Sequence, residues 1–551
     1  MKKYFYITVI ALLSTMILEA QNVNQTIQVT NDYRSAMPEL NKKTLDLKVS
    51  DTLLLFDYKF DYSVFDTPYR GSYEFSPYAM ALDHRRVEPY YNKLYLRFGA
   101  GYGFHPELDL DYQLYSSDDL NIGLFADGSG YYGCYRLYDQ SLAPTRFFAD
   151  GFDFSDALGL SGKWTTYNNI LRFELGQKGI YAADRIAGSA YNAFYLNTSL
   201  SSIKDLSSFF FYDLSLAYRY GFDNIYYSAA NKLLLGEHNI LLSGSAGPVL
   251  NENYRFLADF HVEYNNIPSI SSSSTLVKIT PHLEFELGPA SISAGARFFF
   301  DSQKTFSVAP DLRASASFFS NKLEAGLYLT GDARLNTHHS LKGLNHFYIH
   351  SPDSSQRFAG VVSRERLDAG LKLKGNLNNF KLGLNAGWAL VQSDMMSSFV
   401  INAQRPQDCF ATADYQLLKA DFAAEYFSEK LSAGLNLHLR HSYKYGNQSA
   451  LVFAPSLLSG DISLKYKYNS RISAALMIEA STARRSVVLN ADEQILQIPA
   501  WVCPTISADY KLSDKWTIWA KAGNLVGSSP RYDLTHVQAG PYLTIGAAFI
   551  F

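Results

Sequence analysis

From about residue 92 to the end of the chain, apolar and polar residues alternate with period two over runs of roughly 10–14 residues, about twice a soluble strand. Phe210, Tyr212, Leu214, Leu216, Tyr218 and Tyr220 interleave with Phe211, Asp213, Ser215, Ala217 and Arg219. Leu431, Ala433, Leu435, Leu437 and Leu439 alternate with Ser432, Gly434, Asn436, His438 and Arg440. Ile462, Leu464, Tyr466 and Tyr468 alternate with Asp461, Ser463, Lys465 and Lys467, and 380–388 repeats the pattern. A soluble sandwich also alternates. Length separates the two cases, because a tilted strand needs about 9–11 residues to cross a bilayer. In lipid the faces invert, with apolar side chains outward and polar ones toward a lumen. The fold class expected is all-β, a transmembrane antiparallel β-barrel. The polar positions make Asp213, Arg219, His438, Arg440, Lys465 and Lys467 candidates to face its lumen.

Composition removes the competing classes. The chain of 551 residues is 15% aromatic, with 40 Tyr and 37 Phe, which excludes a disordered polymer. Mean hydropathy is −0.12, and beyond the first twenty residues no run of about 18 apolar residues exists to make a membrane helix. Lys and Arg number 49 against 52 Asp and Glu, a net charge of −3, so no nucleic-acid partner is expected.

Short polar turns separate the alternating runs at 251–253, 288–290, 320–322, 428–430, 469–471 and 513–515, while longer polar segments occupy 335–363, 394–411, 484–499 and 526–538. Short connections on one side and long ones on the other are the outer-membrane pattern, with the short turns periplasmic. Pairing the turns with their flanking runs predicts about 22 strands, within a range of 16–22, over 91–551. An even count leaves both barrel ends on the periplasmic side.

At the N-terminus, Lys2 and Lys3 precede an apolar run from Tyr4 to Leu18, and Leu18-Glu19-Ala20 closes it before Gln21. This reads as a secretory signal peptide, residues 1–20, cleaved after Ala20. No cysteine follows the cleavage site, which argues against a lipoprotein. Cys134, Cys409 and Cys503 have no CxxC spacing and make neither a disulfide framework nor a zinc site. Residues 21–90 form a short periplasmic or luminal segment.

The last run, Leu543, Ile545, Ala547, Phe549 and Phe551, ends the sequence on an aromatic. Phe549 and Phe551 thereby resemble the signal read by bacterial β-barrel assembly machinery, expected as a partner alongside outer-membrane lipid. The N-terminal segment carries Asn31-Asp32-Tyr33, Asp51-Thr52, Phe60-Asp61-Tyr62-Ser63-Val64 and Tyr73-Glu74-Phe75-Ser76-Pro77, and Tyr95-Leu96-Arg97-Phe98-Gly99-Ala100-Gly101 opens the barrel. Together these resemble Bacteroidota outer-membrane barrels of the TonB-dependent receptor-like group, which implies transport across the outer membrane. The chain departs from authentic receptors in lacking an evident plug domain and TonB box.

No catalytic fingerprint is present: there is no GxSxG, HExxH or P-loop, so an enzyme is not expected and no cofactor is implied. Gly99, Gly101 and Gly103 lie in a strand and read as close backbone packing. Four of the twelve histidines, His338, His339, His346 and His350, crowd one long segment. Imidazoles at that density suit Zn²⁺ or Cu²⁺, but without a known ligand spacing the segment reads as an exposed polar loop with no metal. Two functions remain. One is a receptor or transporter-like barrel passing or binding a solute, selected by pore size and lumen charge. The other is a structural or assembly-associated barrel docking a periplasmic partner through residues 21–90. A wide barrel needs an obstruction. The candidates are an inward-folded outer loop, 335–363 being the longest, and segment 21–90, whose Tyr and Phe side chains favour burial in the lumen.

Overall fold

The computed structural model describes residues 93–551 except 139–143, 185–186, 204–208, 229–230, 252, 303–304, 351–358, 402–405, 445–452, 455, 488–494, 527–535 and 539. The expected signal peptide and segment 21–90 lie outside the described residues.

Among those described, twenty-two antiparallel strands follow one another around a closed ring. The first, Leu94–Tyr102, pairs with the second, Glu107–Ser116, and also with the last, Tyr542–Ile550. That last pairing abolishes the sheet edge. Its register runs from Tyr95 opposite Ile550 to Tyr102 opposite Leu543. Phe551 completes the seam by exchanging both backbone hydrogen bonds with Leu94, each 2.9 Å.

Gly99 and Gly546 lie where the Trp519 indole crosses the seam, and a Cβ on either would collide with its ring. Trp519 is 2% exposed, and the Arg97 guanidinium sits 4.2 Å from its ring centroid. Glycine at these positions gives the indole room to lie flat on backbone.

The six short turns expected from the sequence all fall at the barrel end that also holds the start of the first strand and the end of the last. Tightness is written in the backbone: Phe319, Ser320 and Asn321 take positive φ, as does Gly288, and so does Asn378 in a further turn between Leu377 and Phe380. Opposite them the connections are longer. Strand length differs from expectation, ranging from 8 residues at Trp516–Gly523 to 22 at Pro144–Thr165, Phe380–Ile401 and Pro406–Phe427. Much of 394–411, expected as loop, is therefore strand, because ladder pairing continues past the length a bilayer requires. Segment 484–499 carries two strands of a small separate sheet, Arg484–Val487 and Ile495–Ile498.

The outer surface is apolar and banded. Tyr167, Phe210, Phe319, Tyr468, Trp516 and Phe551 are exposed near the short-turn end. Tyr102, Tyr132, Phe194, Tyr220, Phe300 and Phe306 form a second exposed series farther along the strands. Phe210 and Tyr220 are ten positions apart on one strand, with Leu216 exposed between them. Two aromatic girdles about one bilayer-crossing strand apart, with aliphatic residues between, are what a lipid-facing barrel surface shows.

Candidate functional site: the loop inside the barrel mouth

The segment joining the thirteenth strand, Leu323–Leu335, to the fourteenth, Val362–Leu377, turns inward. It opens with a short helix, His338–Leu344. Thr337 is the N-cap: its hydroxyl accepts from the Ser340 backbone N–H at 3.1 Å, and Ser340 Oγ accepts from the Thr337 N–H at 2.9 Å. From this helix the chain reaches Asp153 on the fourth strand, Asp223 on the seventh, Glu237 on the eighth and Phe410 on the sixteenth. The fourth strand is ten positions around a ring of twenty-two from the fourteenth, close to diametrically opposite. Only a segment crossing the interior makes all these contacts.

Packing and polar contacts both hold it. Leu341, Tyr348 and Ile349 join a buried cluster with Ile225, Leu235, Ile267, Met395 and Phe410 from the surrounding wall. The Glu237 carboxylate, 1% exposed, accepts the backbone N–H of His338 at 2.6 Å and of His339 at 3.1 Å. A buried anion on two donors of the helix's first turn satisfies groups that the helix itself leaves unpaired. Lys342, fully buried, donates to the carbonyls of His346 at 2.5 Å and Tyr348 at 2.9 Å, folding the segment onto itself.

His338 and His350 are buried and His339 and His346 partly so, which corrects the reading of these histidines as part of an exposed polar loop. His338 and His350 are 0% exposed. His338 Nε2 lies 2.8 Å from Asp223 Oδ2, and His346 Nδ1 lies 2.6 Å from Asp153 Oδ1. Burial, Arg219, Lys178 and His338 together push His339 down to about 3, so it stays neutral at physiological pH. The His338 and His346 imidazoles serve different carboxylates on different strands, and among the described residues no group of three or more His, Cys, Asp or Glu is placed to hold a metal ion. Their density reflects an acidic wall that must be met by donors.

The six polar candidates fall at separate places. Arg219 shares its strand face with Asp213 and Asp223, and its guanidinium donates to Asn239 at 3.3 Å and to Thr337 of the inward segment at 3.4 Å. Asp213 lines a recess of about 630 Å³ with Ser215, Ser243, Asp259, Lys278 and Arg297. His438 and Arg440 both meet Asp421 Oδ1, at 2.7 and 2.5 Å. His438 also lines a recess of about 350 Å³ with Asp461, Glu479, Arg484 and Trp501. Lys465 stands opposite Ser432 and Ala475, and Lys467 opposite Ser473, both near the short-turn end. The structure brings His438 and Arg440 together and leaves Asp213, Arg219 and the two lysines apart. Phe549 packs tilted against Trp516, ring centroids 4.7 Å apart, and Lys515 sits 4.6 Å over the ring of Phe551.

Sequence reasoning missed Asp153, Asp223 and Glu237, and a second centre around His536. His536 lies in the segment before the last strand, with Nε2 2.9 Å from Asp184 Oδ2 and Nδ1 3.2 Å from Asp408 Oδ2. Phe347 of the inward segment stacks on it, ring centroids 3.7 Å apart and planes 8° from parallel. The only advance signal was acidic residues on polar strand faces.

No family model and no curated protein matches this chain. Solved structures do. The FrpB iron transporter of Neisseria meningitidis, in its apoprotein form, superposes with a TM-score of 0.62 at 10% identity, covering 83% of this chain and 81% of that one. A mutant of the ferric enterobactin receptor PfeA of Pseudomonas aeruginosa gives 0.60 at 11%, covering 83% and 80%. The copper transporter OprC gives 0.56 at 11%, again covering 83% and 80%. At such identities the likeness is one of fold, and at that level it agrees with the TonB-dependent receptor-like resemblance.

Proposed function

We propose that this chain is an outer-membrane receptor or transporter-like barrel that binds or passes a hydrophilic solute, with no catalytic role. The observation carrying this reading is a closed twenty-two-strand barrel whose mouth is occupied by its own folded segment, 336–350. Barrels of that strand number enclose an aqueous lumen wide enough to need an obstruction. A purely structural barrel has no use for a polar passage with a fitted obstruction. The solved structures that share the fold are described as receptors and transporters for siderophores, iron and copper, which supports the class.

In this reading Asp213, Arg219, His438, Arg440, Lys465 and Lys467 line the lumen. Because they carry both signs of charge, the lumen selects polar solutes without strong preference for net charge. The apolar girdled surface meets outer-membrane lipid, and the final strand ending at Phe551 is presented to the assembly machinery. The cleaved leader and the luminal or periplasmic role of 21–90 belong to the same proposal.

Planar-bilayer conductance tests it. Replacing 338–348 by a Gly-Ser linker should raise single-channel conductance, and removing 22–85 as well should raise it further if that segment also obstructs. Conductance at the bare-lipid level in both variants, with folded barrel present, would remove the transport reading. Loss of a co-purifying periplasmic partner on deleting 22–85, with conductance unchanged, would favour the docking function instead.

A further inference from the structure

His536 has a carboxylate oxygen at each ring nitrogen, Asp184 at 2.9 Å and Asp408 at 3.2 Å. A neutral imidazole donates from one nitrogen only, and an ionised carboxylate only accepts. The geometry is therefore that of an imidazolium. All three side chains are almost wholly shielded from solvent. They come from three separate places in the chain: the end of the fifth strand, the sixteenth strand, and the segment before the last strand. Flat against the ring lies Phe347, which belongs to the inward segment. Tyr135 of the third strand closes the pocket edge-on to both rings, 5.8 Å from His536 and 5.3 Å from Phe347.

We propose that His536 is a protonation-dependent latch: as an imidazolium it bridges the two walls and forms the platform on which Phe347 docks, so its deprotonation removes one anchor of the segment 338–350 and loosens it in the barrel mouth. Among the described residues, Asp184 faces the ring from one wall, Asp408 from another and Tyr135 from a third. The face turned to the inward segment meets Phe347, which carries no charge. A cation between two buried carboxylates is held strongly, and removing its proton leaves one carboxylate facing a nitrogen lone pair. The cationic ring also favours stacking against the Phe347 π-face. Burial opposes the charge on His536, but its hydrogen bonds and ion pairs with Asp184 and Asp408 outweigh burial and raise its pKa above the ordinary imidazole value. A group raised in this way contributes fully below its unfolded value of about 6.5. The contribution is lost as pH rises through the higher folded value. The latch is thus closed below about pH 6.5 and opens as pH rises through the folded value above it.

The idea rests on the segment's position in the mouth and not on which solute passes, so it is read on the segment itself. Hydrogen exchange of amides 338–350 in the full-length protein in vesicles, corrected for intrinsic rates, is followed against pH. In wild type, protection should fall as pH is raised from below about 6.5 through the folded value of His536, while the strand amides of the barrel keep theirs. His536→Gln should have lost protection already below about pH 6.5, by about ten- to a hundredfold, the worth of one or two charged hydrogen bonds. His536→Lys, which keeps a cation, should recover part of it. Protection of 338–350 that is pH-independent in wild type overturns the latch. So does equal protection in wild type and His536→Gln. Should His536→Gln fail to fold, the wild-type titration alone decides. Conductance is measured separately, so a silent channel with a moving segment refutes transport and leaves the latch standing.

Discussion

Arginine at Leu216 should damage this barrel far more than arginine one residue earlier, at Ser215. The two share a strand and a depth, and differ in face. Leu216 is 44% exposed on the outer surface, six positions beyond Phe210 and four before Tyr220, hence between the aromatic girdles. A guanidinium there stands near the middle of the apolar band, where its insertion costs about 2–4 kcal/mol. That is about 30- to 900-fold in the folding equilibrium. Ser215 points the other way, into the 630 Å³ recess, where its hydroxyl lies 2.7 Å from Ser243 Oγ. Replacing it loses roughly one neutral hydrogen bond, about 0.5–1.5 kcal/mol. The new side chain has room, with Asp213 and Asp259 on the same recess wall. Reversible urea unfolding in vesicles, read by the heat-modifiable shift on gels, gives both numbers. Equal costs, or the larger cost at Ser215, would refute the assignment of faces for the whole sheet, because register ties every strand to its neighbours. Leu437→Arg against His438→Arg repeats the comparison on the opposite side of the ring, where arginine at 438 keeps Asp421 within reach.

Deleting Phe551 removes the residue that closes the seam by two backbone hydrogen bonds to Leu94, and periplasmic precursor should accumulate, measured as protein that never becomes heat-modifiable. Gly99→Val should cost about 1–3 kcal/mol through collision with Trp519, and adding Trp519→Ala should relieve much of it, so the two changes will be strongly non-additive in the same unfolding assay. Glu237→Ala strips the carboxylate from two buried N–H groups of the short helix, at about 1–3 kcal/mol each, and should raise conductance without changing the yield of folded barrel.

The barrel was legible because one signal repeats more than twenty times. Each alternating run alone is weak, as Phe210–Tyr220 would serve a sandwich equally well. Repetition between polar turns, with no helical span, leaves few folds. The turns were readable for a local reason: Asn321 and Gly288 supply or tolerate the positive φ that tight connections need. Strand length was not readable at the outer end. Past the membrane the alternation lapses, as in Asp394-Met395-Met396-Ser397-Ser398-Phe399-Val400-Ile401, while ladder pairing continues, and so 394–411 passed for loop.

The obstruction was legible as a need and not as a structure. Sequence located four histidines in 335–363, but their meaning depends on what faces them. A histidine opposite water is a loop residue, and the same histidine opposite Asp223 or Asp153 is an anchor. Those aspartates lie 115 and 193 positions away along the chain, joined to their histidines only by closure of the ring. Local pattern carries no information about contacts across a lumen. Charge does retain a trace of them. Asp223 and Glu237 lie on two adjoining strands, so two buried carboxylates stand side by side on one stretch of wall, where Asp223 receives the Ser189 hydroxyl at 3.3 Å from its neighbouring strand. Buried carboxylates demand donors. In a barrel whose neighbouring strands are already paired, the donors must come from inside, and the segment with the densest supply of imidazole and backbone N–H is the one that enters.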